Sequence, residues 1–283
     1  MVRNLMASVG LVAAQPLLAQ ETVPSDPPPA PLAVSGSASL ASDYRFRGVS
    51  QTDGNAAVQG GVTITHQSGV YAGTWGSNLA GWGTFGGANM ELDLFAGIKL
   101  PVAAGTLDTG LVWYMYPGGA DTTDFGELYA RLSGAVGSAT LTAGIAYAPA
   151  QRALGNVFAT GAAAQAGVPD DAGDKEDNLY LSGDGVVPLA GTPVSLKAHI
   201  GYSDGNPGLG PNGTSIAPTG RYWDWSLGVD VTPVDGLTLG LAWVDTDISR
   251  AESAYLQPYF SRGQNGTGTI AGSTLLATLT ASF

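Results

Sequence analysis

From residue 37 to the last residue, the chain repeats short segments in which every second side chain is apolar. The final one puts Leu275, Ala277, Leu279, Ala281 and Phe283 on one face and Leu276, Thr278, Thr280 and Ser282 on the other, because successive strand side chains point to opposite sides. One face suits lipid and the other water. A strand ending at Phe283 has no tail to cover its edge, so it needs a partner, and closure with the first strand supplies one. A tilted strand needs about ten residues to cross a bilayer. Twelve segments of this kind are present, at 37–47, 58–66, 70–77, 89–100, 106–116, 125–136, 139–148, 177–187, 194–202, 221–231, 237–246 and 273–283. The pattern predicts an all-β fold, a transmembrane antiparallel up-and-down β-barrel of 12 strands.

Composition narrows the function classes. The 283 residues include 42 glycines, and only 12% are charged, which is unusual for a soluble domain of this length. Outside the extreme N-terminus no stretch is apolar for the span a membrane helix requires. Lysine and arginine number 11 against 23 acidic residues, so a nucleic-acid partner, which needs clustered cations, is not expected. The chain has no cysteine, which removes disulfides and zinc-thiolate sites. Residues 1–19 carry Arg3 and then an apolar run, the pattern of a cleaved secretory signal. Residues 20–34 contain Pro24, Pro27, Pro28, Pro29 and Pro31 and read as an extended periplasmic tether ahead of a barrel over 35–283.

Connections alternate between tight and long. Gln67-Ser68-Gly69, 101–105, Gly137-Ser138, 188–193 and 232–236 are tight turns, whereas 149–176, 203–220 and 247–272 are long and polar. This is the periplasmic and extracellular asymmetry of outer-membrane barrels, with both termini in the periplasm. Tyr44, Phe46, Trp113, Phe125, Tyr147, Tyr180, Tyr202, Trp223, Trp225 and Trp243 all fall near predicted outer strand ends, where an interfacial aromatic belt is expected. Face matching across the turns sets Lys99 opposite Asp108, Trp225 opposite Trp243, and Ser182 opposite His199.

Asp43-Tyr44-Arg45-Phe46-Arg47-Gly48-Val49-Ser50-Gln51-Thr52-Asp53, Ser68-Gly69-Val70-Tyr71-Ala72-Gly73-Thr74-Trp75, Glu91-Leu92-Asp93-Leu94, Tyr116-Pro117-Gly118 and Glu127-Leu128-Tyr129 together resemble the TorF family of porins. The resemblance spans roughly residues 35–283, and its N-terminal block is the most specific part. It implies a bacterial outer-membrane barrel with a channel role.

The inward faces hold the charges. Asp43, Arg45, Arg47, Glu91, Asp93, Lys99, Asp108, Glu127 and Arg131 are the candidate pore-lining groups, joined further along by Asp184, Lys197, Asp224 and Asp230. Facing carboxylates and cations would sort solutes by charge and size, here with a slight cation preference. Alternatively they form a salt-bridged plug, since twelve strands lie between the filled eight-stranded and the aqueous sixteen-stranded barrels.

An enzyme needs a base, and only His66 and His199 are available as imidazole bases. A Ser182–His199 contact is the one arrangement worth weighing, and no Gly-x-Ser-x-Gly elbow accompanies it. His66 has lipid-facing parity. The acidic stretch 170–177 could offer carboxylate oxygens to calcium, but it lacks the EF-hand ladder and its closing Glu, so a solvated acidic loop is expected there.

The expected function is passive diffusion of small hydrophilic solutes across the bacterial outer membrane, with no catalytic residues and no cofactor. Alternatives are an outer-membrane hydrolase and a non-conducting barrel with adhesive or sensing loops. The partners are outer-membrane lipid, the barrel-assembly machinery, which would read the C-terminal strand and Phe283 as an assembly signal, and the solutes themselves. Solute identity and oligomeric state are not encoded in any feature above.

Overall fold

The structure is a computed structural model that describes residues 31–103, 105–263 and 269–283. The predicted signal segment and most of the predicted tether lie outside these residues. Twelve antiparallel strands close into a barrel. We number them β1 Leu32–Ala41, β2 Ala57–His66, β3 Val70–Asn78, β4 Met90–Val102, β5 Gly105–Met115, β6 Phe125–Val136, β7 Ala139–Gln151, β8 Glu176–Pro188, β9 Val194–Asp204, β10 Arg221–Val234, β11 Leu237–Thr246 and β12 Thr274–Ser282. Each pairs with its sequence neighbour, and β1 closes on β12. No helix among the described residues is long and apolar enough to cross a membrane.

The alternation does what it predicts. Leu40, Val58, Ile64, Leu94, Leu128, Ile200 and Leu275 face outward and are exposed, forming the apolar band that a lipid-spanning barrel needs. Trp113, Tyr147, Trp223 and Trp243 are exposed near the outer strand ends, where amphipathic rings suit the headgroup level. Tyr202 and Trp223 pack with ring centroids 5.0 Å apart.

Four of the ten residues of the expected belt point the opposite way. Tyr44, Phe46, Phe125 and Tyr180 are buried inside the barrel, because inward aromatics near the outer end pack against chain that enters the lumen.

The first strand differs from its predicted position. It runs Leu32–Ala41, beginning inside the stretch read as tether and ending before Asp43. Residues beyond it turn into the lumen as a small hairpin, Arg45–Phe46 paired with Val49–Ser50. Asp43, Arg45 and Arg47 therefore sit on this inner hairpin and not on the wall. The segment Asp43 to Arg47 itself alternates in polarity, so its period matches that of a barrel strand.

Two registers also differ. Leu189 donates its N–H to the Val194 carbonyl at 2.8 Å, so the β8–β9 turn is narrower than expected. Asp184, and not Ser182, then stands opposite His199, while Ser182 faces Gly201. Between β10 and β11 a bulge separates Val231 from Val234, which sets Trp225 opposite Asp245. Its ring still lies 6.5 Å from Trp243 on the diagonal. Lys99 does stand opposite Asp108.

Closure depends on the last residue. The Phe283 N–H donates to the Gly36 carbonyl, and the Gly36 N–H donates to the Phe283 carbonyl, both at 3.0 Å. The Phe283 ring lies outward across Gly36, where a Cβ would stand 2.6 Å from its Cζ.

Candidate functional site

Inward residues divide the lumen into two layers. The outer layer is filled by the inner hairpin. Its tip is the two-residue turn Arg47-Gly48, with φ of 48° and 80°, the left-handed pair that suits a tight hairpin. Arg47 is 2% exposed and donates from Nη2 to Glu127 Oε1 of β6 at 2.5 Å. Its guanidinium also lies 4.2 Å from the centre of the Tyr180 ring and 4.8 Å from that of Phe46, a desolvated cation–π arrangement. Tyr44 Oη donates to both oxygens of Glu91 at 3.1 Å.

Arg45 pairs with Asp43 at 2.6 Å and donates to the carbonyls of Gly48 and Ile270. Asp43 also accepts from Ser50 and Thr52. The hairpin is thus held at three heights, to its own base, to the wall and to the last outer loop.

Loops seal it from above. Val49 of the hairpin joins Trp82, Leu209, Ile248, Leu256, Phe260 and Ile270 in an apolar cluster contributed by three outer loops, with Trp82 edge-on to Phe260 at 4.9 Å. Between hairpin and loops the space contracts to a cavity of about 10 Å³, lined by Phe46, Gln51, Trp82, Glu91 and Tyr116, room for about one water. Asp93 is fully buried beside this layer, and neither of its oxygens has a hydrogen-bond partner among the described residues. It lies within coulombic reach of Glu91 and Glu127.

The inner layer is polar and more open. Ser133, Thr142 and Ser182 are partly exposed to the lumen. Lys197 of β9 pairs with Asp230 of β10 at 2.8 Å. His199 Nδ1 meets Asp184 at 2.7 Å, and its Nε2 meets Asp224 at 3.1 Å and Tyr180 Oη at 2.9 Å. Both imidazole nitrogens are thus occupied by wall groups, and Ser182 is not among them. A nucleophile–base pair needs a ring nitrogen free to take the serine proton, so the Ser182–His199 contact weighed from the sequence does not form.

Ser182→Ala should accordingly leave stability in urea titrations unchanged. His199→Leu, which strands Asp184 and Asp224, should cost about 3 kcal/mol.

The nine candidate lining residues therefore separate. Asp43, Arg45, Arg47, Glu91, Asp93 and Glu127 belong to the outer plug, and Lys99, Asp108 and Arg131 to the inner vestibule. Sequence reasoning missed the inward aromatics Tyr71, Tyr114 and Tyr129. It also missed why they fit: ring tips reach over glycines of a neighbouring strand, Tyr71 over Gly97, Phe95 over Gly73 and Tyr129 over Gly110. Aromatic-to-glycine matching across strands was the available signal.

The acidic stretch in the outer loop has a structural use. Asp170 accepts from the Ala159 N–H and Asp174 from the Asn156 N–H. Among the described residues, no group of three or more such ligands is placed to hold a metal ion.

Strand number, closure, an apolar outer band and a polar lumen define a transmembrane β-barrel with the fold of outer-membrane porins. The chain belongs to the family described as "Bacterial protein of unknown function (Gcw_chp)", which it matches over residues 25–283. No curated protein matches it. Among solved structures it is similar to the NanC porin, at a TM-score of 0.52 and 9% identity, covering 89% of this chain and 99% of that one. It is also similar to the KdgM porin, at 0.49 and 5%, covering 88% and 98%. The COG4313 outer membrane channel from Pseudomonas putida F1 aligns at 0.43 and 10%, covering 93% and 100%. At 9% identity the likeness to the NanC porin is one of fold.

Proposed function

We propose that the barrel is a passive channel for small hydrophilic solutes in the bacterial outer membrane, gated by its inner hairpin. The observation that carries this reading is the contrast between the two lumen layers. The inner half is a polar vestibule open to water, whereas the outer half is closed by a hairpin that belongs to the connection between β1 and β2 and is paired into neither strand. The hairpin of four paired residues is held to the wall by side-chain contacts and to the outer loops by two backbone bonds, Ser50 N–H to the Ile270 carbonyl and Ala80 N–H to the Gln51 carbonyl, so it can leave the lumen without breaking the strand ladder. The closed geometry is one of two states, and displacement of the hairpin gives the other.

The resemblance to the TorF porins supports the same reading, because its most specific block, Asp43 to Asp53, forms the inner hairpin and its approach. Phe283 acts in this picture as the assembly signal read by the barrel-assembly machinery.

Planar lipid bilayers test the channel. Purified protein should give stepwise conductance with long closed dwell times. A persistently silent bilayer, with folded barrel demonstrated by heat-modifiable gel mobility, would favour the non-conducting alternative, to which the tightly packed outer loops lend some support.

A further inference from the structure

The vestibule holds two cations that share one neighbouring carboxylate and form no ion pair with it. Lys99 of β4 and Arg131 of β6 both stand level with Asp108 of the intervening β5, and all three side chains point into the lumen. Cross-strand neighbours of opposite charge usually pair. Here Asp108 is instead engaged by Tyr71, whose hydroxyl donates to Oδ1 at 2.5 Å and also contacts the Tyr129 hydroxyl. Among the described residues neither cation makes an ion pair. Each rests on an aromatic face, the Lys99 ammonium 5.5 Å from the centre of the Tyr71 ring and the Arg131 guanidinium 4.7 Å from that of Tyr129.

This arrangement differs from the rest of the lumen. Arg45, Arg47 and Lys197 all have carboxylate partners. Lys99 and Arg131 remain partly exposed to the vestibule, and with only β5 between them they stand two strand steps apart, at about 5 Å per step. A cation held over a ring keeps its N–H donors available, and an arriving anion can take them without first displacing a carboxylate. The Tyr71 hydroxyl holds Asp108 in a hydrogen bond in place of an ion pair, and one carboxylate between two cations leaves the trio with an excess positive charge.

We propose that Lys99 and Arg131 form an anion-binding subsite in the periplasmic vestibule, for a small solute bearing carboxylate or phosphate groups. The subsite rests on the reading of the lumen as a solute path, and it gives that path a charge preference opposite to the one expected from the bulk count of acids. Most of those acids are sealed in the plug or in wall pairs, so the water-facing charge at this level is positive.

Calorimetric titration of the full chain in detergent micelles with sodium phosphate, and separately with succinate, tests it. The parent should bind at least one probe saturably. Lys99→Gln and Arg131→Gln should each weaken that binding by about tenfold, the loss expected for one charge-assisted hydrogen bond, and Arg131→Lys should recover part of it. Heat-modifiable mobility checks that each variant is folded, and Lys99→Met, which keeps the stem on Tyr71, serves if Lys99→Gln is not. Absence of saturable binding in the parent, or equal affinity in the folded variants, overturns the subsite. Binding in micelles does not require conduction, so a silent bilayer with intact binding would count against the channel alone.

Discussion

Arg47→Ala should convert a mostly closed barrel into a mostly open one, raising the macroscopic conductance of a reconstituted membrane about 100-fold over the parent. The hairpin tip is held by a buried ion pair to Glu127 and by the ring of Tyr180. Removing one partner of such a pair costs about 3–5 kcal/mol, because the other charge stays buried without compensation. Glu127 would keep only the Tyr114 hydroxyl, at 3.3 Å, with the unpartnered Asp93 within coulombic reach. Moving the hairpin out and admitting water relieves that strain, so the cost falls on the closed state.

Glu127→Gln should open the channel less, since it retains a hydrogen-bond acceptor for Arg47 and lowers the acidity of the layer. The double variant Arg47→Ala, Glu127→Gln should close again in part. Conductance of folded Arg47→Ala that equals the parent's would mean that the hairpin is not the gate.

Phe283→Ser should reduce the folded fraction in urea titrations about tenfold, with little change in the unit conductance of the barrels that do form. The β1–β12 seam is short, with five register pairs from Ser37↔Ser282 to Ala41↔Thr278, against ten between β1 and β2. Phe283 extends it by two hydrogen bonds to Gly36 and covers that glycine with its ring. Transfer of a phenylalanine side chain out of water contributes about 1.5–3 kcal/mol, which a serine on the lipid face forfeits. Gly36→Val should act in the same direction and more strongly, because a Cβ there meets both the ring and the Gly61 carbonyl, at 2.6 and 2.9 Å. Wild-type urea stability in Phe283→Ser would show that the seam closes without the ring.

The barrel was legible because lipid and lumen impose opposite demands on alternate residues, and eleven of the twelve segments need only that rule. The first strand was not, for a physical reason. Leu32 to Ala41 is rich in small residues next to a proline run, while Asp43 to Arg47 alternates polar with aromatic side chains. An inner hairpin and a wall strand share the period of two, and only the Arg47-Gly48 turn distinguishes them.

Facing was easier to read than pairing. His199 does point inward, but a turn narrowed by the Leu189–Val194 bond gives it Asp184 in place of Ser182. The candidate lining residues were recognised as inward, yet inward does not separate a wet wall from a plug. That division depends on a chain segment arriving from elsewhere in the sequence, which local periodicity does not report.

The rings seated over glycines in the lumen tie separate stretches of the gene to one another. A Cβ on Gly97 would stand 2.6 Å from the Tyr71 hydroxyl, and one on Gly110 2.6 Å from that of Tyr129. Neither partner can be enlarged first without a clash, whereas losing the ring first leaves a gap that a later side chain can occupy. These positions are therefore expected to be inherited in pairs, and to change in a fixed order when they change. Because each retained pair seats a bulky group over a glycine of the wall, related barrels with the same twelve strands can differ in bore through a handful of coupled replacements, with no strand added or removed.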